Sequence, residues 1–171
     1  MARLTTTLLL SAALVTTAAC SKKRPDVLPP APGDAPAATT GEGYGAAGAV
    51  TPGSAADFRR SVTSDTVLFA TDMYDIDATA RGILDTQVEW LTRYPNVRVT
   101  VEGHADERGT REYNVALGDR RANAAKNYLA ARGIDPGRIT TISYGKERPV
   151  ALGSDESSWA QNRRAVTVVV N

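Results

Sequence analysis

The chain has 171 residues, enough for one ordinary globular domain plus appendages, and its formal net charge at pH 7 is +1. That charge balance shows no bias toward nucleic acid or another polyanion, so we expect no nucleic-acid partner. The sequence has one cysteine, Cys20, and one histidine, His104, which excludes an intramolecular disulfide and argues against a Cys/His metal site. We therefore expect no metal and no cofactor.

Residues 1–19 are typical of an export signal peptide. Arg3 supplies a positive charge, a short apolar run extends from Leu8 to Val15, and small residues precede Cys20. The apolar run is shorter than the roughly 20 residues that a membrane-spanning helix requires. The alternative is a plain signal peptide followed by an incidental cysteine.

The small residues Thr17–Ala19 followed by Cys20 resemble the bacterial lipobox, with Thr17 where leucine is commonest. The resemblance implies cleavage before Cys20 and lipidation of its thiol. Ser21 then implies delivery to the outer membrane, because the inner-membrane retention signal is typically Asp at that position. Several acyl chains would give stable anchoring, with the rest of the chain in the periplasm.

A change of composition follows the cysteine. From Ser21 to about Asp57 the chain is rich in Pro, Ala, Gly and Thr and has almost no large apolar side chains. Such a segment cannot bury enough apolar surface to offset the entropy lost on ordering it. We predict a lipidated, disordered linker over residues 20–57, which acts as a leash, and a folded domain over residues 58–171.

The folded domain alternates between the helical and the strand period of hydrophobicity. Apolar residues at helical spacing predict helices over Thr79–Arg93 and Thr110–Arg132. Short β-branched or alternating runs predict four strands, which we place at Thr66–Phe69, Val97–Val101, Ile139–Tyr144 and Ala165–Val170. This order predicts an α/β two-layer sandwich with the helices packed on one face of a small mixed sheet.

The stretch from Gly103 to Gly109 carries the candidate site. It follows a valine-rich strand, and loops after sheet strands often present functional groups. On the next helix, Asn114, Leu117 and Arg121 share one stripe that faces back toward this loop. Asp106 and Arg121 are therefore predicted to bracket a small pocket. A carboxylate binds an ammonium and an arginine fork binds a carboxylate, so the pair suits an amino-acid zwitterion.

A simpler arrangement of the same two charges is the alternative. Asp106 and Arg121 would then pair with each other or lie on a solvated face, because exposed charge pairs are common and weak.

Several motifs, taken in their order along the chain, resemble those of OmpA-like peptidoglycan-binding domains. They are Glu102–Thr110, Tyr113-Asn114, Leu117-Gly118, Arg120-Arg121-Ala122, Tyr144-Gly145-Lys146 and Asn162–Val166. The resemblance covers roughly Val67 to Asn171. It implies the OmpA-like fold and, as ligand, the meso-diaminopimelate of the peptidoglycan stem peptide, whose side chain ends in an amino-acid zwitterion.

The resemblance also assigns the site residues. Asp106 would receive the ligand's ammonium and Arg121 its carboxylate. Four residues complete the binding set: Asp72 through its backbone N–H, Tyr74 in the same loop, Asn114 holding the central loop (Gly103–Gly109), and Leu117 lining the pocket. His104 and Arg163 would organise the site. The family often has an acidic residue after the first strand's phenylalanine, where this chain has Ala70.

Together with the N-terminal layout, the resemblance implies a lipoprotein that tethers the outer membrane to the cell wall without covalent bonds. It further implies TolB and other Tol proteins as partners, in envelope integrity and cell division. A pure protein-interaction module and the wall anchor of another envelope lipoprotein are alternatives. An enzyme would need a triad such as His104, Asp106 and Ser143. No Gly-x-Ser-x-Gly elbow is present, and we predict that the chain is not an enzyme.

Overall fold

The computed structural model describes residues 50–170. The predictions for the signal peptide, for Cys20 and for the linker up to residue 49 lie outside these residues. Within residues 50–170, no helix is long and apolar enough to cross a membrane. The same residues contain no group of three or more His, Cys, Asp or Glu side chains that could hold a metal ion.

The described part of the chain forms helices and strands in alternation. The helices are α1 (Ala55–Ser61), α2 (Ala78–Arg93), α3 (Arg111–Ala131) and α4 (Glu156–Asn162). The strands are β1 (Thr66–Leu68), β2 (Arg98–His104), β3 (Ile139–Gly145) and β4 (Arg164–Val170). The periodicity of the sequence placed α2, α3 and all four strands, although β2 continues three residues beyond the predicted end at Val101.

The strands form one mixed sheet in the order β1-β4-β2-β3. The valine-rich β4 lies between β1 and β2 and is antiparallel to both, whereas β2 and β3 are parallel. Every second residue of β2 and β4 is buried toward the helices, which is the period expected for a sheet covered on one face. The predicted two-layer α/β sandwich is confirmed.

Helix α1 begins before the predicted domain start at Phe58 and is held by tertiary contacts. Ser54 caps it by accepting a hydrogen bond from the Asp57 N–H, 3.2 Å away. Phe58 is 1% exposed and packs edge-on against Trp90, with ring centroids 4.9 Å apart. The Trp90 Nε1–H donates to Asp57 at 3.1 Å. A fragment beginning at Phe58 would therefore lose the first turn of a packed helix.

The end of β2 and the middle of α3 approach each other at two glycines. A Cβ on Gly103 would overlap the carbonyl oxygen of Gly118, and a Cβ on Gly118 would overlap the Ser143 hydroxyl. Only glycine at both positions permits this backbone contact. The contact sets α3 directly beneath the loop that leaves β2, which brings Arg121 under Asp106.

Candidate functional site

The loop between β2 and α3 presents the Asp106 carboxylate, whose side chain is 9% exposed. The Arg108 side chain binds it through two nitrogens, with Nε 3.1 Å from Oδ1 and Nη2 2.6 Å from Oδ2. The Arg108 N–H also donates to Oδ1, and Arg163 Nη1 lies 3.5 Å from Oδ2. Burial alone would raise the pKa of Asp106, but the hydrogen bonds from Arg108 hold it below the ordinary value. Asp106 is therefore negatively charged at neutral pH.

Arg121 lies beneath this loop and is 0% exposed. Its guanidinium donates to three backbone carbonyls, those of Met73 at 2.9 Å, His104 at 2.8 Å and Ala70 at 3.2 Å. Burial lowers the pKa of Arg121 to about 10, so the group remains a cation at neutral pH. Arg121 thus joins the loop after β1 to the end of β2.

The simpler arrangement of Asp106 and Arg121 is wrong. The ion pairs of the described residues join Asp106 to Arg108 and Arg163, and none joins it to Arg121. Neither group lies on a solvated face, because Asp106 is 7% exposed as a residue and Arg121 is fully buried. Two charges of opposite sign are thus held apart, one in the loop and one beneath it.

The loop after β1 supplies the facing wall. Asp72 has a φ of +57°, in the left-handed region that non-glycine residues adopt rarely. Its carboxylate accepts a hydrogen bond from the Tyr113 hydroxyl at 3.1 Å, which ties the loop to the start of α3. Within residues 50–170, no backbone acceptor takes the Asp72 N–H. Asp72 therefore offers a fixed backbone donor beside the central loop.

A pocket of about 260 Å³ lies between the two loops. It is lined by Thr71, Asp72, Asp106, Arg108, Gly109 and Tyr113. Asp72 and Asp106 are the predicted binding residues that reach it. The other predicted binding residues do not line it: Asn114, Leu117 and Arg121 are buried, and Tyr74 is 43% exposed with its ring 5.9 Å from the Arg120 guanidinium.

The central loop is braced from three sides. Asn114 Nδ2 donates to the Arg108 carbonyl at 2.6 Å. Lys146 Nζ bridges the carbonyls of Glu107 and Gly109 at 3.0 and 2.8 Å. Trp159, on α4, donates through Nε1 to Glu107 at 3.0 Å. These bonds hold the turn that carries Asp106 in one position, which favours binding because little ordering remains to be done.

Arg163 connects the same loop to β1 and α4. It is 5% exposed, and its Nε donates to the Phe69 carbonyl at 3.1 Å while Nη2 donates to Glu156 at 2.6 Å. Its third nitrogen is the one that faces Asp106. The Arg163 side chain therefore reaches from the start of β4 to the base of the central loop.

His104 contributes to the site through its backbone. Its carbonyl accepts from Arg121, but its ring does not line the pocket: it lies 5.6 Å from the Tyr144 ring and is 2% exposed. Neither ring nitrogen has a hydrogen-bond partner among the described residues. Ser143 donates to the Val115 carbonyl beneath α3. The structure therefore does not assemble His104, Asp106 and Ser143 into a triad.

Comparison with known proteins identifies a family model and relatives that the chain resembles. The OmpA family model matches residues 68–163. Peptidoglycan-associated lipoprotein of Agrobacterium fabrum is 58% identical over 127 residues, 74% of this chain and 71% of that protein. The chain belongs to the OmpA family, among the peptidoglycan-associated lipoproteins.

Other members of this group agree. Peptidoglycan-associated lipoprotein of Rhizobium meliloti is 58% identical over 129 residues, 75% of this chain and 72% of that protein. The crystal structure of the peptidoglycan-associated lipoprotein from Burkholderia pseudomallei superposes with a TM-score of 0.61 at 41% identity, covering 63% of this chain and 91% of that one. Both sequence and fold therefore place the domain in the OmpA family.

In this OmpA-family chain, sequence reasoning missed part of the pocket wall. Arg108 and Tyr113 line the pocket, yet neither was among the predicted binding residues. Both lie within motifs that carried the resemblance, and Arg108 is only two residues from Asp106. Their proximity was a usable signal, but the direction of a loop side chain does not follow from spacing in the sequence.

Proposed function

We propose that this OmpA-family lipoprotein binds the peptidoglycan stem peptide noncovalently, through the terminal zwitterion of meso-diaminopimelate. The observation that carries the proposal is the pocket itself, which the charged, mostly buried Asp106 carboxylate lines, together with the buried Arg121 cation, which does not line the pocket but is close enough to interact electrostatically with Asp106. A receptor with separated charges of opposite sign matches an amino-acid head group. The names of the relatives, which describe association with peptidoglycan, support the same ligand.

Within this proposal the ligand's ammonium binds Asp106. Its carboxylate approaches the Asp72 N–H and lies over the positive charge of Arg121. Arg121 already donates to three carbonyls, so its main contribution is a fixed charge and a fixed pocket floor. Leu117, 4% exposed, completes the floor as a packing residue.

The remaining predicted residues act by positioning. Asn114 holds the central loop at the Arg108 carbonyl, and Arg163 holds its base at Asp106. The His104 carbonyl receives Arg121. Tyr74 flanks the loop after β1, where its exposed ring is available to the rest of the stem peptide.

In the cell, this binding would tether two layers of the envelope. Lipidation of Cys20 anchors one end in the outer membrane, the linker spans the gap, and the domain in the periplasm holds the wall. Individual contacts can be weak, because many tethers on one polymer raise the effective concentration. We place the protein in the Tol–Pal system, with TolB and other Tol proteins as partners, acting in envelope integrity and cell division.

The function proposed is binding and not catalysis. The separation of His104, Asp106 and Ser143 supports this, because a nucleophile and its base must lie within hydrogen-bond reach. No metal or cofactor enters the proposal.

The test is cosedimentation of the full chain, in detergent, with purified peptidoglycan sacculi. The wild type is expected to sediment and to be released by free meso-diaminopimelate, whereas Asp106→Asn is expected to stay in solution because it lacks the charge for the ammonium. Asp119→Asn is the matched control, since Asp119 is exposed on α3 outside the pocket. Sedimentation of Asp106→Asn at the wild-type level, with both variants folded by circular dichroism, would refute the proposal.

A further inference from the structure

Arg108 binds the Asp106 carboxylate, which is the group that the proposed ligand's ammonium would bind. Its guanidinium binds both oxygens of Asp106, at 3.1 and 2.6 Å, and it lines the pocket. The same side chain is 39% exposed, and its Nη2 lies 3.4 Å from the Thr71 hydroxyl on the opposite wall. The positively charged Arg108 guanidinium therefore lies across the pocket, where a ligand's ammonium would bind.

Arg108 is the arginine near Asp106 that has freedom to change partners. Arg121 is fully buried and donates to three carbonyls, and Arg163 is held by the Phe69 carbonyl and Glu156. Among residues 50–170, the Arg108 side chain donates hydrogen bonds to Asp106 and Thr71 and to no other group. Its guanidinium also lies 4.2 Å from the Trp159 ring centroid, a flat surface on which it can turn while keeping its stacking contact.

We propose that Arg108 determines the specificity of the pocket for zwitterions, because the ligand inserts between Asp106 and Arg108. The ammonium takes the place of Arg108 on the Asp106 carboxylate, and the released guanidinium closes on the ligand's carboxylate. This inference rests on the proposed function and adds to it a second carboxylate partner on the solvent side, facing Arg121 below.

The charges explain the selectivity. Before binding, Asp106 and Arg108 neutralise each other. An amine without a carboxylate would displace Arg108 and leave the guanidinium without a counter-ion, and a carboxylate without an amine would leave Asp106 with a weaker partner. A zwitterion leaves both protein charges paired, so it is the ligand class whose entry costs least.

Calorimetric titration of the full chain in detergent tests this with two probes whose amino groups are separated by the same number of carbons. One is meso-diaminopimelate, and the other is 1,5-diaminopentane, the same diamine without its carboxylates. In Arg108→Gln, diaminopentane is expected to bind about tenfold more tightly because Asp106 is no longer occupied, while diaminopimelate gains no affinity because its carboxylate has lost a charged partner. The preference for the zwitterion should therefore fall about tenfold.

Two further variants complete the test. Arg108→Lys keeps a cation and is expected to restore part of the preference. Arg111→Gln removes an equal charge from an exposed side chain paired with Glu147, outside the pocket, and is expected to leave the preference unchanged.

The outcomes separate the two proposals. If the wild type binds diaminopimelate but Arg108→Gln changes the affinity for both probes by the same factor, Arg108 is only a lid and the insertion mechanism is wrong, while the proposed function stands. If the wild type binds neither diaminopimelate nor sacculi, the proposed function fails and the inference fails with it.

Discussion

Arg121→Lys tests whether the fork of this buried arginine holds the pocket floor. Lysine keeps the positive charge, but a single ammonium at the end of a flexible stem cannot reach the carbonyls of Ala70, Met73 and His104 together. The bond to the His104 carbonyl is buried, and leaving that carbonyl without a donor costs about 1–3 kcal/mol; the bonds to Met73 and Ala70 are partly buried and contribute about 0.5–1.5 kcal/mol each. With two of the three bonds lost, we expect the free energy of unfolding to fall by about 2–4 kcal/mol.

The assay is urea denaturation followed by circular dichroism, with hydrogen exchange of the loop after β1 as a second readout. Arg120→Lys is the control, because Arg120 is exposed on the preceding position of α3 and should shift stability by no more than about 0.5 kcal/mol. If Arg121→Lys were as stable as Arg120→Lys and its loop equally protected, the three carbonyl bonds would not be what holds this floor.

Three further changes follow from the same structure. Burial and two neighbouring arginines lower the pKa of His104 to about 4, below the 6.5 of the unfolded chain, so stability should be complete above pH 6.5 and fall as the pH drops toward 4. The loss should be at most about 3 kcal/mol, because the Glu102 carboxylate, 3.7 Å from Nε2, would partly stabilise the protonated ring. Urea titrations of His104→Gln should lack this loss. Gly103→Ala should lower the free energy of unfolding by more than about 2 kcal/mol, because the added Cβ overlaps Gly118. Gly82→Ala, in an open position of α2, should instead raise it by about 0.5–1 kcal/mol. Equal shifts in melting temperature for the two variants would contradict the close approach of Gly103 and Gly118. Lys146→Met, which removes the bridge between two loop carbonyls, should speed amide exchange in residues 107–110 about tenfold by mass spectrometry; unchanged exchange would show that the brace is dispensable.

The spacing of apolar residues was sufficient to predict the two long helices and the four strands. Helices α2 and α3 each extend over several turns, and β2 alternates buried and half-buried residues, so their patterns repeat often enough to be read. Helix α1 has seven residues with one buried side chain, Phe58. Its stability comes from Trp90, more than thirty residues away, and such a contact leaves no periodic signal in the local sequence.

In the candidate site, the sequence predicted which side of a helix a residue occupies but not how deeply its side chain is buried. Helical spacing put Arg121 on the side of α3 that faces the loop, and the structure has it there. Spacing does not tell how far a side chain is buried, which depends on the close approach of Gly103 and Gly118. Nor does it give the partner of Asp106, since the Arg108 guanidinium that binds it also stacks on Trp159, on a helix fifty residues later.

The most direct measurement is a crystal structure of the chain with meso-diaminopimelate bound. The account predicts the ligand's ammonium on the Asp106 carboxylate, and its carboxylate between the Asp72 N–H and a guanidinium of Arg108 that has left Asp106. Diaminopimelate bound elsewhere, or bound here with the Asp106–Arg108 pair intact, would contradict the account of the pocket.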